Sequence, residues 1–141
     1  MEYKKYENTY LLRLDPGDEI LDSLTLLAEK ENIMLAGVQG IGAVNDVAAG
    51  VFKTGEKEYL TERFTGDFEI LNLTGNISRQ DKKPYLHLHI SIGNPAAGVW
   101  AGGHLSRALV SATAEITVTK IQGEANRVFD ESIGLNIFQF S

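Results

Sequence analysis

The segment 85-YLHLHISIGNPAAGVWAGGHL-105 determines the predicted fold and contains all three histidines of the chain. Its first eight residues alternate between two kinds of side chain. The apolar set is Leu86, Leu88, Ile90 and Ile92, and the intervening set is Tyr85, His87, His89 and Ser91. Because successive side chains of a strand point to opposite faces, this segment is predicted to be a strand with one apolar face. That pattern is typical of an antiparallel sheet that covers a core on one side.

Segments on either side of it show the same period. Residues 67–78 are predicted to place Phe68, Ile70, Asn72 and Thr74 on one face, and Glu69, Leu71, Leu73 and Gly75 on the other. Residues 108–121 are predicted to bury Val110, Ala112, Ala114, Ile116 and Val118. Residues 6–15, 59–64 and 132–140 are rich in aromatic and branched residues and are also predicted strands. The second half of the chain is therefore predicted to be mainly β-structure.

One helix is predicted near the N-terminus, from Gly17 to Glu31. Asp15 is a candidate N-cap, Pro16 suits the first helical position, and Asp18 stands where a capping-box acid would lie. Apolar residues then recur at helical spacing, at Ile20, Leu24, Leu27 and Ala28. With a second, shorter helix and six to eight strands, the prediction is an α+β fold with a central antiparallel sheet, in one domain spanning residues 1–141.

Composition restricts the function classes. The chain has 141 residues, no cysteine and a formal net charge of −6, so disulfides and thiolate metal sites are excluded. An acidic chain repels nucleic acid unless its basic residues cluster, and the pairs Lys4-Lys5 and Lys82-Lys83 are too short for a binding arm. No apolar run approaches the roughly 20 residues that cross a bilayer. We predict a cytoplasmic protein that binds neither membrane nor, directly, nucleic acid.

The histidines form the candidate site. His87 and His89 share one strand face about 6–7 Å apart, and His104 returns after a turn-forming segment and the paired glycines Gly102 and Gly103. Three neutral imidazoles suit a divalent metal, zinc first, with iron, nickel or cobalt tolerated, and they leave a coordination position open. The alternative is that the three histidines are partly exposed sheet residues that hold no ion.

Two charged residues are candidates for catalytic roles beside such a metal. Glu115, on the polar face of a long strand, is a candidate proton carrier, with Glu69 as a second choice. Arg13, among the apolar residues of the first strand, is a candidate for binding a small anionic ligand. The alternative for each is an ordinary solvated residue, with the aliphatic stem of Arg13 lying over the sheet. Trp100 is interpreted as a packing or subunit-contact residue.

The sequence also resembles the PPC (plants and prokaryotes conserved, also written PCC) domain family. The resemblance rests on "HLHISIGNPAAGVWAGGHL" followed by "TAEI", and on "YLLRLDPGDEI", "GIGAV", "GDFEIL" and "FDESIGLNIF" in the family's order. It covers nearly the whole chain. It implies an α+β fold, a homotrimer, and a metal held by His87, His89 and His104. The fold also resembles that of acetolactate decarboxylase, which binds zinc through three histidines.

Two departures from plant members of the family bear on the partner. Plant members carry a basic AT-hook that enters the DNA minor groove, and this chain contains none. In the segment Gly66–Leu71, which corresponds to a partner-contact motif, Asp67 replaces the usual arginine. A DNA-binding activity is therefore implied by the family label alone, and a protein partner stays open.

The combined expectation is a stand-alone, homotrimeric PPC-domain protein with a three-histidine metal site and a regulatory or small-ligand-binding role. The alternative is a metal-dependent enzyme that acts on a small 2-keto or 2-hydroxy acid, as a lyase like acetolactate decarboxylase. In that alternative Glu115 carries the proton and Arg13 holds the substrate carboxylate.

Overall fold

Eight strands and one helix make up the structure, a computed structural model that describes residues 1–140. The elements are β1 (Glu2–Tyr6), β2 (Thr9–Leu14), α1 (Ile20–Lys30), β3 (Ala36–Lys53), β4 (Glu58–Gln80), β5 (Lys83–Asn94), β6 (Val99–Lys120), β7 (Asn126–Asp130) and β8 (Leu135–Gln139). The predicted second helix is absent from these residues. The connections contain only two to five residues, too few for a helix of average length. The fold therefore has one short helix and a large sheet.

The sheet is built around four strands that pair in a closed cycle. β3 pairs antiparallel with both β4 and β6, and β5 also pairs antiparallel with both β4 and β6. β2 and then β1 extend the sheet beyond β6, and the β7–β8 hairpin joins β4. β6 changes partners at His104, which lies opposite His89 of β5 and opposite Gly50 of β3. The candidate site therefore lies where three strands meet.

The helix lies on the sheet and covers the core. α1 packs against β5 and β6 and buries Ile20, Ser23, Leu24, Leu27 and Ala28. Within residues 1–140, no helix is both long enough and apolar enough to cross a membrane.

The helix begins later than predicted. Gly17 has φ +91°, in the left-handed region, so the helix cannot start there. Asp18 accepts a hydrogen bond from the Asp15 amide (2.9 Å) and pairs with the N-terminal amino group (2.6 Å). The N-cap is Glu19, whose side chain accepts from the Asp22 amide at 2.8 Å. Residues 15–18 therefore form a turn that ties down the N-terminus.

A β-bulge changes the predicted faces of β4. The register with β5 shifts between Ile70 and Asn72, so Leu71 is an extra residue and the alternation is displaced after it. Leu73 is fully buried whereas Leu71 is 50% exposed, although strict alternation predicts that they share a face. In β6 the predicted buried residues lie in the core except Ala112, which is exposed where the pairing with β3 is irregular.

Candidate metal centre

The three histidines converge on one face of the sheet. The alternation predicted for β5 is confirmed, because Leu88, Ile90 and Ile92 are buried and His89 is exposed. The imidazole centroids are 5.3 Å apart for His87–His89, 5.3 Å for His87–His104 and 5.7 Å for His89–His104. One ring nitrogen from each residue can be chosen so that all three lie within 4.8 Å of one another. This group could hold a metal ion after small side-chain rotations that bring each nitrogen to about 2.1 Å from it.

The glycines before His104 allow its strand to lie close to both neighbours. A β-carbon at Gly102 would collide with the carbonyl oxygen of Ile90 in β5. A β-carbon at Gly103 would collide with the carbonyl oxygen of Gly50 in β3, and Gly103 also has φ +147°. Only glycine therefore fits at the point where β6 passes from one partner strand to the other.

We expect Gly103→Ala to destabilise the protein by about 1–3 kcal/mol, because the added methyl group must push β3 away from β6. The same displacement moves His104, so zinc affinity should fall as well. Urea denaturation and a competitive zinc titration measure the two effects. Gly37→Ala is the matched control in β3, where the added methyl group meets no atom within 4 Å. Equal losses of stability and of zinc affinity in the two variants would contradict the close approach of β6 to β3 at Gly103.

Electrostatics keep two of these imidazoles in the neutral form that binds metals. Burial, with smaller contributions from His87 and His89, lowers the pKa of His104 to about 4. Burial also lowers the pKa of His87, assisted by the positive charges of Arg127 and His89. The Nδ1 atom of His104 is buried and has no hydrogen-bond partner. A buried ring nitrogen of this kind is costly without a partner, and a metal ion would provide one.

This lowered pKa gives the metal-free protein a specific dependence on pH. The unfolded chain protonates His104 near its ordinary value of 6.5, and the folded chain only near 4. Unfolding therefore takes up a proton in this window, and stability is full above pH 6.5 and falls as the pH drops towards 4. In the presence of a chelator, we expect the Tm of wild type to fall between pH 7 and 4 more steeply than that of His104→Gln. Equal slopes of Tm against pH for the two proteins would contradict the assignment of a lowered pKa to His104.

Aromatic and basic side chains surround the histidines. The Tyr59 ring lies 4.6 Å from that of His104, and Phe52 is 5.2 Å from Tyr59 on the same hairpin. Asn76 lies opposite His87, and the Arg127 guanidinium donates to the Asn76 Oδ1 atom at 3.0 Å. Tyr59, Asn76 and Arg127 were not among the residues predicted for the site. Tyr59 and Asn76 lie in predicted strands, but the pairing of those strands was not predicted, and Arg127 lies in none of the predicted strands.

Glu115 and Arg13 lie elsewhere. They are cross-strand partners in β2 and β6 and line an open groove of about 580 Å³ with Leu11, Gln39, Ile41 and Asn72. Arg13 is held by Asp15 at 2.9 Å and by Glu2 at 3.1 Å. Glu115 is eleven positions beyond His104 in β6, roughly 36 Å along an extended strand. Glu69 lies opposite Gly93, in a second groove. Within one chain, the structure does not bring these residues to the histidines.

Comparison with known protein families identifies the architecture. The model of the Plants and Prokaryotes Conserved (PCC) domain matches residues 1–122, which include the helix, the first six strands and all three histidines. The chain belongs to the PCC domain family. The family resemblance seen in the sequence is thus confirmed. Of the helix and strands that the structure describes for this PCC protein, β7 and β8 are the ones that lie beyond the matched residues.

Two solved structures that are similar over nearly the whole chain are relevant to its function. A candidate DNA-binding protein from Bacteroides thetaiotaomicron is 32% identical with a TM-score of 0.94, over 99% of this chain and 96% of that one. A metal-containing protein from Archaeoglobus fulgidus is 34% identical with a TM-score of 0.88, over 99% of this chain and 97% of that one. Both alignments include β7 and β8, so the PCC fold of these relatives extends over the hairpin.

A more distant structure bears on the resemblance to acetolactate decarboxylase. A Staphylococcus aureus protein of unknown function, similar to alpha-acetolactate decarboxylase, has a TM-score of 0.57 at 12% identity, over 89% of this chain and 56% of that one. At this identity the likeness concerns the fold alone. A search of curated proteins finds no match to this PCC protein.

Proposed function

We propose that this PCC protein is a homotrimer that binds a divalent metal ion, zinc in the first instance, through His87, His89 and His104, and serves a regulatory or small-ligand-binding role. The observation that carries this proposal is the convergence of three imidazoles, and a buried His104 Nδ1 atom without a hydrogen-bond partner supports it. The metal-containing relative from Archaeoglobus fulgidus supports it.

The donor set determines what such an ion could do. Three neutral imidazoles leave the full double positive charge of the ion and at least one coordination position available. An ion of this kind polarises a bound oxygen or lowers the pKa of a bound water molecule. His87, His89 and His104 would hold the ion, and the Tyr59 ring packs against His104 on one side. The open position is where a ligand would bind.

Metal analysis tests the site. Protein purified without a histidine tag should contain about one divalent ion per chain, and the His87→Ala/His89→Ala variant should contain almost none. Thr74→Ala is a suitable control, because Thr74 lies opposite His89 on the same face but supplies no ring nitrogen. Equal metal content in wild type and the double variant would refute the proposal.

Two exposed apolar side chains support self-association. Trp100 is 65% exposed and Leu71 is 50% exposed, and both lie against Gly93. Neighbouring exposed apolar residues of this size commonly mark protein contacts. Sedimentation equilibrium should give about three times the 15.5 kDa chain mass, and Trp100→Ser/Leu71→Ser should lower it. A wild-type monomer would refute the trimer.

We also propose that residues 1–141 form one domain, with the β7–β8 hairpin as an integral part. The Arg79 amide donates to the Ala125 carbonyl at 2.9 Å, and Arg127 of β7 forms three hydrogen bonds to β4 and β8. A chain ending at residue 122 would leave the underlying β4 face exposed. Limited proteolysis should therefore leave the hairpin uncut, and early cleavage near residue 123 would argue against this.

Catalysis on a small 2-keto or 2-hydroxy acid is the second candidate, favoured by the pairing of Arg13 and Glu115 in one groove. A role for that pair at the metal requires a second subunit, because neither residue lies near the histidines of its own chain. Turnover of such acids that is lost with a chelator and with Glu115→Gln would support it. Chelator-insensitive or absent turnover would count against it.

Direct DNA binding is not part of the proposal, although it is suggested for the Bacteroides thetaiotaomicron relative. The net charge of −6 opposes contact with a polyanion. A gel-shift titration at low salt should show no complex at micromolar protein, and a salt-sensitive complex below that concentration would overturn this view.

A further inference from the structure

Arg127 is a buried cation without an acidic partner among the described residues. It is only 9% exposed. The ion pairs within residues 1–140 use Arg13, Arg63 and Arg107, each with a carboxylate, but not Arg127. A buried charge without a counter-ion is costly unless polar groups compensate for it. Because Arg127 is buried without a carboxylate, the polar groups around it must provide this compensation.

The β7–β8 hairpin places this guanidinium on the histidine side of the sheet. Its Nε atom donates to Ser78 Oγ at 2.8 Å, and its terminal nitrogens donate to Asn136 O at 2.9 Å and to Asn76 Oδ1 at 3.0 Å. Ser78 lies opposite Tyr85, and Asn76 lies opposite His87. Directly opposed residues of an antiparallel pair share a face, so Arg127 contacts the strip of side chains that continues into the metal ligands.

Neutral groups hold the guanidinium in place. It lies 4.7 Å from the ring centroid of Tyr85 and 4.0 Å from that of Phe138. All three hydrogen-bond acceptors are uncharged, and a guanidinium has five N–H groups, so two are free of these three contacts. The positive charge of Arg127 is therefore not neutralised by a carboxylate in these contacts.

Arg79 is the other buried arginine without a carboxylate partner, but its contacts lie elsewhere. It donates to Lys82 O at 3.3 Å and to Asn32 Oδ1 at 3.4 Å, in the turn after β4 and just after α1. None of these hydrogen bonds reaches a residue opposite the histidines. Of the two arginines buried within residues 1–140, Arg127 is the one that donates to such a residue, Asn76.

We propose that the site takes a small organic carboxylate as the ligand of its metal, and that Arg127 supplies the charge that selects an anion over a neutral molecule. This rests on the proposed metal site. A divalent ion on three neutral imidazoles and a guanidinium together carry three positive charges, and the metal-binding group contains no carboxylate. In a partly buried site, such a charge excess favours an anionic ligand.

Two aromatic rings near the site favour an organic anion over an inorganic one. Tyr59, on the β3–β4 hairpin, lies against His104, and Phe138, on the β7–β8 hairpin, lies against the Arg127 guanidinium. The two hairpins are in contact, because the Lys57 ammonium group at the tip of the first donates to the Glu131 carbonyl oxygen of the second at 2.6 Å. Such rings suit the carbon skeleton of a small acid, while its carboxylate binds the metal.

A cobalt-loaded protein allows a direct test, because the visible spectrum of protein-bound Co²⁺ changes when a ligand enters its coordination sphere. Glycolate is the probe, and glycolamide is its neutral counterpart of similar size. We expect Arg127→Gln to weaken glycolate binding at least tenfold and to change glycolamide binding less than twofold. Arg127→Lys, which keeps the charge, should retain most of the glycolate affinity. Inorganic phosphate is a further probe, and we expect it to bind more weakly than glycolate.

The control is Arg63→Gln, which removes the same charge from an exposed position paired with Asp46. Its glycolate affinity should match that of wild type, which excludes an effect of net charge alone. Equal losses in the Gln and Lys variants, or equal losses for glycolate and glycolamide, would show a structural role and overturn the proposal. A wild-type spectrum that does not respond to 100 mM glycolate would overturn it without any variant.

Failure of the metal site would give a different result. If wild-type protein shows no spectrum of bound Co²⁺, the proposed metal centre fails and the carboxylate proposal fails with it. If the spectrum is present but glycolate has no preference over glycolamide, the carboxylate proposal fails and the proposed metal centre stands. Tighter binding of phosphate than of glycolate would replace the organic carboxylate by an inorganic oxyanion.

Discussion

Replacing His104 with alanine is expected to lower the zinc affinity more than about a hundredfold, because even residues that only support metal ligands commonly contribute ~10–100-fold. In the proposed site His104 is the ligand that β6 contributes, so its loss would leave only two histidine ligands, both on β5. In wild type, zinc at about a thousand times its Kd should stabilise the fold by about 4 kcal/mol, or raise the Tm by about 10 °C. The variant should show almost none of this increase.

Thermal unfolding with and without zinc, together with a competitive zinc titration, measures both effects. Glu124→Gln is the control, since it removes an exposed potential ligand far along the chain from the histidines. His104→Ala has a second consequence in the absence of metal. It removes the buried nitrogen that lacks a partner, so the metal-free variant need not be less stable at neutral pH. A zinc-dependent Tm shift of equal size in both proteins would contradict the site.

Truncating Leu73 to alanine is expected to lower the free energy of unfolding by about 2–5 kcal/mol, whereas Leu71→Ala should lower it by less than about 1 kcal/mol. Leu73 is fully buried and Leu71 is half exposed, although only one residue separates them. The difference arises from the bulge at Leu71. Urea denaturation of the two variants, which carry the same chemical change, tests its position directly.

Equal losses for the two leucine variants would mean that both side chains are buried. That result would argue against the bulge, unless the loss at Leu71 varied with protein concentration. A concentration-dependent loss would place Leu71 in a subunit contact, beside Trp100. A larger loss at Leu71 than at Leu73 at every concentration would contradict the register of β4.

The local features of the site were predictable from the sequence. Strand alternation alone places His87 and His89 on one face, away from Leu88 and Ile90, because a strand has only two faces. The paired glycines before His104 indicated a close approach of strands, and both glycines lie where a β-carbon would collide with a neighbouring backbone. The metal-ligand interpretation followed from these observations, and the family match covers all three histidines.

Features that depend on distant contacts were not predictable in the same way. The residue types around Leu71 do not distinguish a bulged strand from a regular one, because the extra residue is defined by the register with β5. The DPGD segment carries helix-start residues, but Asp18 binds the N-terminal amino group and the helix begins beyond it. Arg127 is separated from His87 by 40 positions, and only the pairing of β7 with β4 brings it near.

The pairing of His104 also separates local from distant contacts. His87 and His89 are neighbours on one face of β5 as soon as that strand is extended. His104 joins them when β6 folds back on β5 in a hairpin, because it lies opposite His89, only 15 positions away. The same residue also pairs with Gly50 of β3, 54 positions earlier in the chain. The three ligands of the proposed site can therefore come together within one hairpin, whereas the pairing with β3 depends on a distant part of the chain.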